Sequence, residues 1–141
     1  WRISMGIGQA LEALGRPDEA ERHLRQALTE AGGADPRPGV ALGLFLVRQG
    51  RFEQAIPTLE EVLKRFPEDG DAHIYLGRAL LEQGRVEDAV PHLQRGVAIW
   101  PASSQAHLLL AKALARSGRA LEAQEHFAAA ARLQAKAQGS R

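Results

Sequence analysis

The sequence contains no cysteine, which excludes disulfide bridges, thiol catalysis and cysteine-ligated zinc or iron–sulfur centres. Long apolar runs are also missing, since stretches such as residues 40–47 are far shorter than the roughly 20 residues that span a bilayer. Neither charge is in excess: 18 basic and 17 acidic residues leave a net charge of +1. Because nucleic acids and anionic membranes recruit strongly basic surfaces, we expect neither a nucleic-acid partner nor membrane insertion.

The amino-acid composition indicates a folded protein. The chain has 141 residues, of which 45% are hydrophobic and 25% charged, and this balance is typical of one domain or a short repeat array. Arginine far outnumbers lysine, a bias that, with abundant alanine, glycine and leucine, is typical of a GC-rich bacterial genome. Because the chain opens at Trp1, we expect a fragment of a longer protein. The composition does not determine the compartment, although the cytoplasm is our expectation.

A period of 34 residues organises the chain, as the spacing of Leu42-Gly43, Leu76-Gly77 and Leu110-Ala111 shows. Glycine–arginine pairs, small residues and large apolar residues keep the same step, at Gly50, Gly84 and Gly118, at Ala55, Ala89 and Ala123, and at Leu59, Leu93 and Phe127. An earlier unit around Ile7-Gly8 fits with one extra residue. We therefore predict one array over residues 1–141, with units at about 1–35, 36–69, 70–103 and 104–137.

In each unit, apolar residues recur at helical spacing on two segments, and this pattern predicts two helices per unit. The glycine–arginine pairs end the first helix, and acidic residues such as Asp18, Glu53 and Glu87 begin the second, where they complement the helix dipole. Pro57 and Pro91 fall near the first turn of a second helix, where a missing N–H is tolerated. The predicted helices cover residues 2–14, 18–31, 38–49, 53–65, 71–83, 87–99, 105–117 and 121–136.

This pattern resembles the tetratricopeptide repeat, a family built from paired antiparallel helices. The third unit matches the family's signature most fully, with His73, Leu76, Gly77, Leu80, Ala89, Leu93, Gly96 and Pro101. The resemblance implies an all-α, right-handed α-solenoid of about four helix–turn–helix repeats, whose first helices line a concave wall. It also implies a scaffold that binds a protein or peptide and needs no cofactor. The residues expected in the core are Leu42, Leu46, Leu59, Leu76, Leu80, Leu93 and Phe127.

The concave wall holds the candidate binding residues, because they lie opposite the buried face of each first helix. They are Val40, Leu44, Arg48, Ile74, Tyr75, Arg78, Leu108, Lys112 and Arg116. An apolar stripe flanked by cations predicts a ligand with apolar anchors and some acidic residues. Packing between neighbouring first helices explains the stripe equally well, and plain solvation explains the cations. Family members that bind chaperones hold a carboxylate with asparagines and lysines, but this chain has no asparagine, so that mode is not expected.

The remaining candidate residues, histidines and serines, indicate neither a metal site nor a catalytic site. The five histidines occupy only two repeat positions, and no two share one helix face at ligand spacing, so we expect packing and no metal site. No serine has a histidine and a carboxylate that the repeat would gather, and we therefore expect no enzyme. Two alternatives to a peptide-binding scaffold remain. One is self-assembly through the stack ends, by a last helix carrying Leu121, Phe127 and Leu133. The other is a docking or regulatory arm of a larger enzyme whose catalytic domain lies outside this chain.

Overall fold

The computed structural model describes residues 1–139, which form eight α-helices and no strand. The helices are α1 (Arg2–Ala13), α2 (Pro17–Ala31), α3 (Arg37–Arg48), α4 (Phe52–Arg65), α5 (Gly70–Glu82), α6 (Val86–Ile99), α7 (Ser104–Arg116) and α8 (Ala120–Gly139). All eight predicted helices are present. Only the end of α8 differs appreciably from its expected position, because the helix continues past the repeat boundary.

The helices pack as four consecutive hairpins, α1 with α2, α3 with α4, α5 with α6, and α7 with α8. The second helix of each hairpin contacts the first helix of the next, and the first helices α1, α3, α5 and α7 also contact one another in order. Successive hairpins therefore stack, and their first helices form one continuous wall. This arrangement is the predicted helical solenoid.

Glycines on the first helices allow the first three hairpins to close tightly. A Cβ atom added at Gly43 would lie 2.4 Å from Leu59 Cδ2, and one added at Gly77 would lie 2.5 Å from Leu93 Cγ. A different set of glycines forms the turns within the hairpins, at Gly15, Gly50, Gly84 and Gly118, with φ between 71° and 82°. Such angles are in the left-handed region, which glycine adopts without steric cost and which ends the first helix of each pair.

The predicted core is confirmed for Leu42, Leu46, Leu59, Leu76, Leu80 and Leu93, which are all buried. The prediction is wrong for Phe127, which is 40% exposed. Leu59 and Leu93 occupy the same repeat position, but each belongs to a hairpin that is followed by another. Phe127 lies on α8, and among the described residues no further helix covers the outer side of α8.

Both ends of the stack leave apolar side chains in solvent. On α1, Ile3 is 80% exposed, and Ile7 and the helix-ending Leu14 are exposed as well. On α8, Leu121 is 80% exposed. Leu133 differs from the expectation, since it is half-buried in a recess beside Pro101 and His107. Leu121, Phe127 and Leu133 therefore do not share one face of the last helix.

Candidate protein-binding surface

The first helices place most of the predicted binding residues side by side. Because α3, α5 and α7 are consecutive in the wall, their outward side chains form one surface, which we call the concave wall. The half-buried members are Val40, Leu44, Tyr75, Arg78 and Leu108, and the exposed members are Arg48, Lys112 and Arg116. Half-buried apolar side chains beside exposed cations are a combination that suits contact with another chain.

Ile74 does not belong to the exposed part of this wall, which corrects the sequence-based placement. Its side chain is only 4% exposed. It packs towards α6 at Gly96, where an added Cβ atom would lie 2.6 Å from Ile74 Cγ1. The missing side chain at Gly96 leaves space that Ile74 fills, so this isoleucine stabilises its own hairpin.

The four cations of the wall divide into two kinds. Arg48 forms an ion pair with Glu12 of the preceding unit at 3.3 Å, and Arg116 donates a hydrogen bond from Nη1 to the carbonyl oxygen of Leu81 at 3.2 Å. These contacts connect neighbouring first helices. Arg78 and Lys112, by contrast, form no ion pair or hydrogen bond within residues 1–139. Their charges are therefore available to a ligand.

Tyr75 lies near two cations of the wall, Arg48 and Arg78. Burial raises the pKa of its phenol above the ordinary value, and the negative charge of Asp71 adds to the effect, whereas Arg48 and Arg78 oppose it. The phenol consequently stays neutral and keeps its hydrogen at physiological pH. It can offer a hydroxyl group and one side of an aromatic ring to a bound segment.

Two pairs of histidines, which the sequence analysis did not connect, meet inside the third and fourth hairpins. His73 Nδ1 lies 3.0 Å from His92 Nδ1, and His107 Nδ1 lies 2.9 Å from His126 Nδ1. The partners are 19 residues apart on facing helices, so a search for ligands on one helix face misses them. The recurrence of histidine at the same two repeat positions was the signal that could have found them.

The hydrogen bonds determine which tautomer each ring adopts. His73 Nε2 lies 2.9 Å from the carbonyl oxygen of Pro67, and a carbonyl only accepts, so this nitrogen carries the hydrogen. His73 Nδ1 must then accept, and His92 Nδ1 donates to it. The ring centroids are 5.3 Å apart, as expected when the two nitrogens point directly at each other. The same pattern joins His107, His126 and the carbonyl of Pro101.

These pairs predict that the stability of the chain falls in weak acid. Burial first, and then the neighbouring histidine, lowers the pKa of His92 and His126 below the usual 6.5, although Glu60 and Asp88 oppose the shift at His92, and Glu122 and Glu125 oppose it at His126. A group whose pKa is lowered by folding binds more protons in the unfolded chain. The histidines' contribution is therefore complete above about pH 6.5 and is lost as the pH falls through the lowered pKa values.

The measurement is urea unfolding, followed by circular dichroism, at about pH 7.5 and about pH 5.5. We expect a lower midpoint at the acidic pH, and we expect the double variant His92→Gln/His126→Gln to lose most of that difference. His23→Gln serves as the control, because His23 is half-buried at the same repeat position but has no histidine partner. A pH dependence that the double variant leaves unchanged would show that the pairs are not responsible.

The second hairpin has no such pair, and an open recess lies there on the opposite side from the concave wall. Gly39 and Thr58 occupy the positions that His73 and His92 hold in the third hairpin. The recess has a volume of about 480 Å³ and is lined mainly by apolar groups, among them Leu28, Val62 and Phe66. The convex side therefore also offers an apolar surface, and an experiment on the concave wall has to be able to distinguish the two.

Between residues 1 and 139, no group of three or more histidine or carboxylate side chains is placed to hold a metal ion. No helix in that range combines the length and the apolar character that crossing a membrane requires. The fold and its wall define a helical-repeat scaffold for contacts with other proteins.

Comparison with protein families agrees with this architecture. Tetratricopeptide repeat models match residues 8–26, 40–104 and 81–140. The chain belongs to the tetratricopeptide repeat family, and this membership supports a role as a protein-interaction scaffold. Comparison with curated protein sequences yields no match.

Solved structures of similar shape include several MamA proteins. MamA from Desulfovibrio magneticus RS-1 is 28% identical, with a TM-score of 0.82 over 94% of this chain and 74% of that one. MamA AMB-1 is 25% identical, with a TM-score of 0.79 over 95% of this chain and 79% of that one. Another MamA crystal structure is 19% identical, with a TM-score of 0.81, a likeness that concerns the fold alone.

Proposed function

We propose that this chain is a non-catalytic scaffold that binds a segment of another protein along the concave wall. The observation that carries the proposal is the pair of cations, Arg78 and Lys112, that have no partner in the described part of the chain. They lie on adjacent helices, among the half-buried apolar side chains Val40, Leu44 and Leu108. A segment with apolar anchors and some acidic residues complements this surface.

The apolar contacts supply most of the affinity in this proposal, because an exposed ion pair contributes only about 0–1 kcal/mol. The cations act on the rate of association and on its salt dependence, since charge complementarity steers the encounter. Tyr75 adds a rigid, half-buried aromatic ring on α5, the middle helix of the wall, and such residues often dominate an interface.

The test is a double charge reversal, Arg78→Glu/Lys112→Glu, assayed against a partner captured by the native chain. We expect the affinity to fall by about tenfold at low salt, since each reversal removes an attraction and adds a repulsion. Arg22→Glu/Arg132→Glu is the matched control: it changes the net charge equally, at two exposed arginines on second helices. Circular dichroism checks that both variants remain folded.

Adding Tyr75→Ala to the double reversal should weaken binding further. Suppose instead that the captured partner binds the triple variant as tightly as it binds the native chain. The concave wall is then not the site, and the apolar recess between α2 and α4 on the convex side becomes the next surface to change.

Self-association through the stack ends is the second candidate, and the exposed side chains of α1 and α8 favour it. The outer side of α1 carries Ile3 and Ile7, and α8 carries Leu121 and Phe127. The two surfaces differ, so a contact between them is head-to-tail and propagates into chains of molecules.

Analytical ultracentrifugation over a range of concentrations tests this candidate. We expect the native chain to associate, and we expect either Ile3→Glu or Leu121→Glu to reduce the association, because a charge in an apolar contact must be desolvated. Gln94→Glu adds the same charge at an exposed residue of α6 and serves as the control for charge alone. A native chain that stays monomeric at high concentration would exclude the head-to-tail contact.

A further inference from the structure

A second recess lies at one end of the concave wall, where the start of α5 meets the turn between α6 and α7. It has a volume of about 460 Å³. Two aromatic side chains, Tyr75 and Trp100, line it together with Pro101 and the carboxylate of Asp71. We call it the Trp100 pocket. None of the wall cations discussed above is among its lining residues.

Trp100 is held in position by the start of α5. It follows the last residue of α6, and its indole lies against Gly70, where an added Cβ atom would fall within 2.4 Å of Cδ1. Any side chain at residue 70 would displace the ring. Trp100 is nevertheless 50% exposed, so the backbone supports the ring while much of its surface remains open to the pocket and to solvent.

Asp71 supplies a negative charge that nothing in the described chain neutralises. Asp69, two residues earlier, caps α5 by accepting a hydrogen bond from the backbone N–H of Ala72. The side chain of Asp71 does not cap the helix, and it forms neither an ion pair nor a hydrogen bond within residues 1–139. Burial raises the pKa of its carboxyl group, and the charge of Asp69 adds to the effect. A cation in the pocket would favour the ionised carboxylate and so oppose this shift of the pKa.

We propose that the Trp100 pocket binds the cationic side chain, lysine or arginine, of a segment lying along the concave wall. Aromatic rings attract cations through the negative potential of their faces, and a nearby carboxylate strengthens the preference. The combination of indole, phenol and unpaired carboxylate therefore selects a positive group over an apolar one of equal size.

This inference rests on the proposed function and makes it more specific. A segment that follows the wall would place a basic residue in the Trp100 pocket and acidic residues near Arg78 and Lys112. The opposite signs at the two places would determine the direction in which the segment lies, because the reversed orientation would bring like charges together. The pocket would thus contribute specificity more than affinity.

The experiment uses a small probe, so that it does not depend on the identity of the partner. Choline provides a quaternary ammonium, and 3,3-dimethylbutan-1-ol provides the same shape without the charge. Binding is followed through the indole N–H resonance of Trp100 in the full ¹⁵N-labelled chain, and the variant Trp1→Phe assigns the signal. We expect choline to shift this resonance saturably in the millimolar range, and the neutral alcohol to bind several times more weakly.

Two variants locate the effect. Asp71→Asn should weaken the binding of choline by about two- to fivefold, as expected when the ionic part of a cation–π site at the surface is removed. Glu82→Gln removes an exposed carboxylate from the other end of the same helix and should leave the binding unchanged. Equal shifts with choline and the neutral alcohol, no shift with choline, or equal weakening by both variants would each overturn the proposal.

The outcome is separable from that of the proposed function. Neither Arg78 nor Lys112 lines the Trp100 pocket, so binding of choline there does not depend on these two cations. Suppose that choline binding depends on Asp71 but that the affinity of the captured partner does not change with the charge reversal on the wall. The concave wall is then not the binding site, and the cation-selective pocket is still supported. Suppose instead that the charge reversal on the wall weakens the binding of the partner but that Asp71→Asn leaves its affinity unchanged. The pocket then has no role in binding the partner, and the concave wall is still supported as the site.

Discussion

Replacing Leu76 with alanine is expected to lower the free energy of unfolding by about 2–5 kcal/mol. The side chain is completely buried. It lies on α5, which contacts α3, α4, α6 and α7, so helices on several sides would have to move to fill the space left by the lost methyl groups. A cavity that cannot collapse costs its lost contacts in addition to the transfer free energy of the removed atoms.

Urea unfolding followed by far-ultraviolet circular dichroism measures this change. Leu121→Ala is the matched control: the substitution is the same, but Leu121 is 80% exposed on α8. We expect the control to change stability by no more than about 0.5 kcal/mol. If the two variants unfold at the same urea concentration, the assignment of Leu76 to the centre of the core is wrong.

Adding one methyl group at Gly77 is expected to destabilise the chain as well, although alanine is the better helix former. An added Cβ atom would lie 2.5 Å from Leu93 Cγ and 2.6 Å from Leu93 Cδ2, closer than carbon atoms approach each other. Forcing an extra methyl group into a packed core costs about 1–3 kcal/mol. The gain in helix propensity is at most about 1 kcal/mol, so the variant Gly77→Ala should be less stable than the native chain.

Gly6 provides the comparison within the same chain. It lies inside α1, and an added Cβ atom would meet nothing within 4 Å. Gly6→Ala should therefore raise the unfolding free energy by about 0.5–1 kcal/mol, through helix propensity alone. Opposite shifts of the urea midpoint for the two variants are the expected result. A stabilising effect at both glycines would mean that α5 and α6 do not approach each other as closely as the structure describes.

The fourth hairpin shows how the chain accommodates a larger residue at this position. Ala111 stands there in place of glycine and is completely buried. Phe127, which occupies the repeat position of Leu93, is 40% exposed. The tight glycine–leucine contact is thus a property of hairpins that are followed by another hairpin, and the last one is packed differently.

The sequence by itself determined the helices and the way in which they pair. Their periodicity, the glycine–arginine turns and the early acidic residues act within a few residues of the chain, so the spacing alone predicts where each helix begins and ends. Because each unit repeats the last, one correct unit predicts the others, and the stack follows from the need to bury the apolar face of each hairpin.

Only the tertiary structure decided which side chains of the concave wall are buried or paired and which are not. Arg48 and Arg78 have the same character in the sequence, yet Arg48 pairs with Glu12 of the neighbouring unit, whereas Arg78 forms no ion pair within residues 1–139. Ile74 is buried because Gly96, on another helix, has no side chain and leaves space for it.

The same holds for the histidine pairs and the Trp100 pocket, whose members come from separate segments of the chain. The physical reason is the range of the interactions. Helical periodicity relates residues up to about four positions apart, whereas the partners in a histidine pair are 19 positions apart, and Arg48 and Glu12 are 36 positions apart. Their geometry depends on how each hairpin sits on the next, and small residues at the contacts decide that placement.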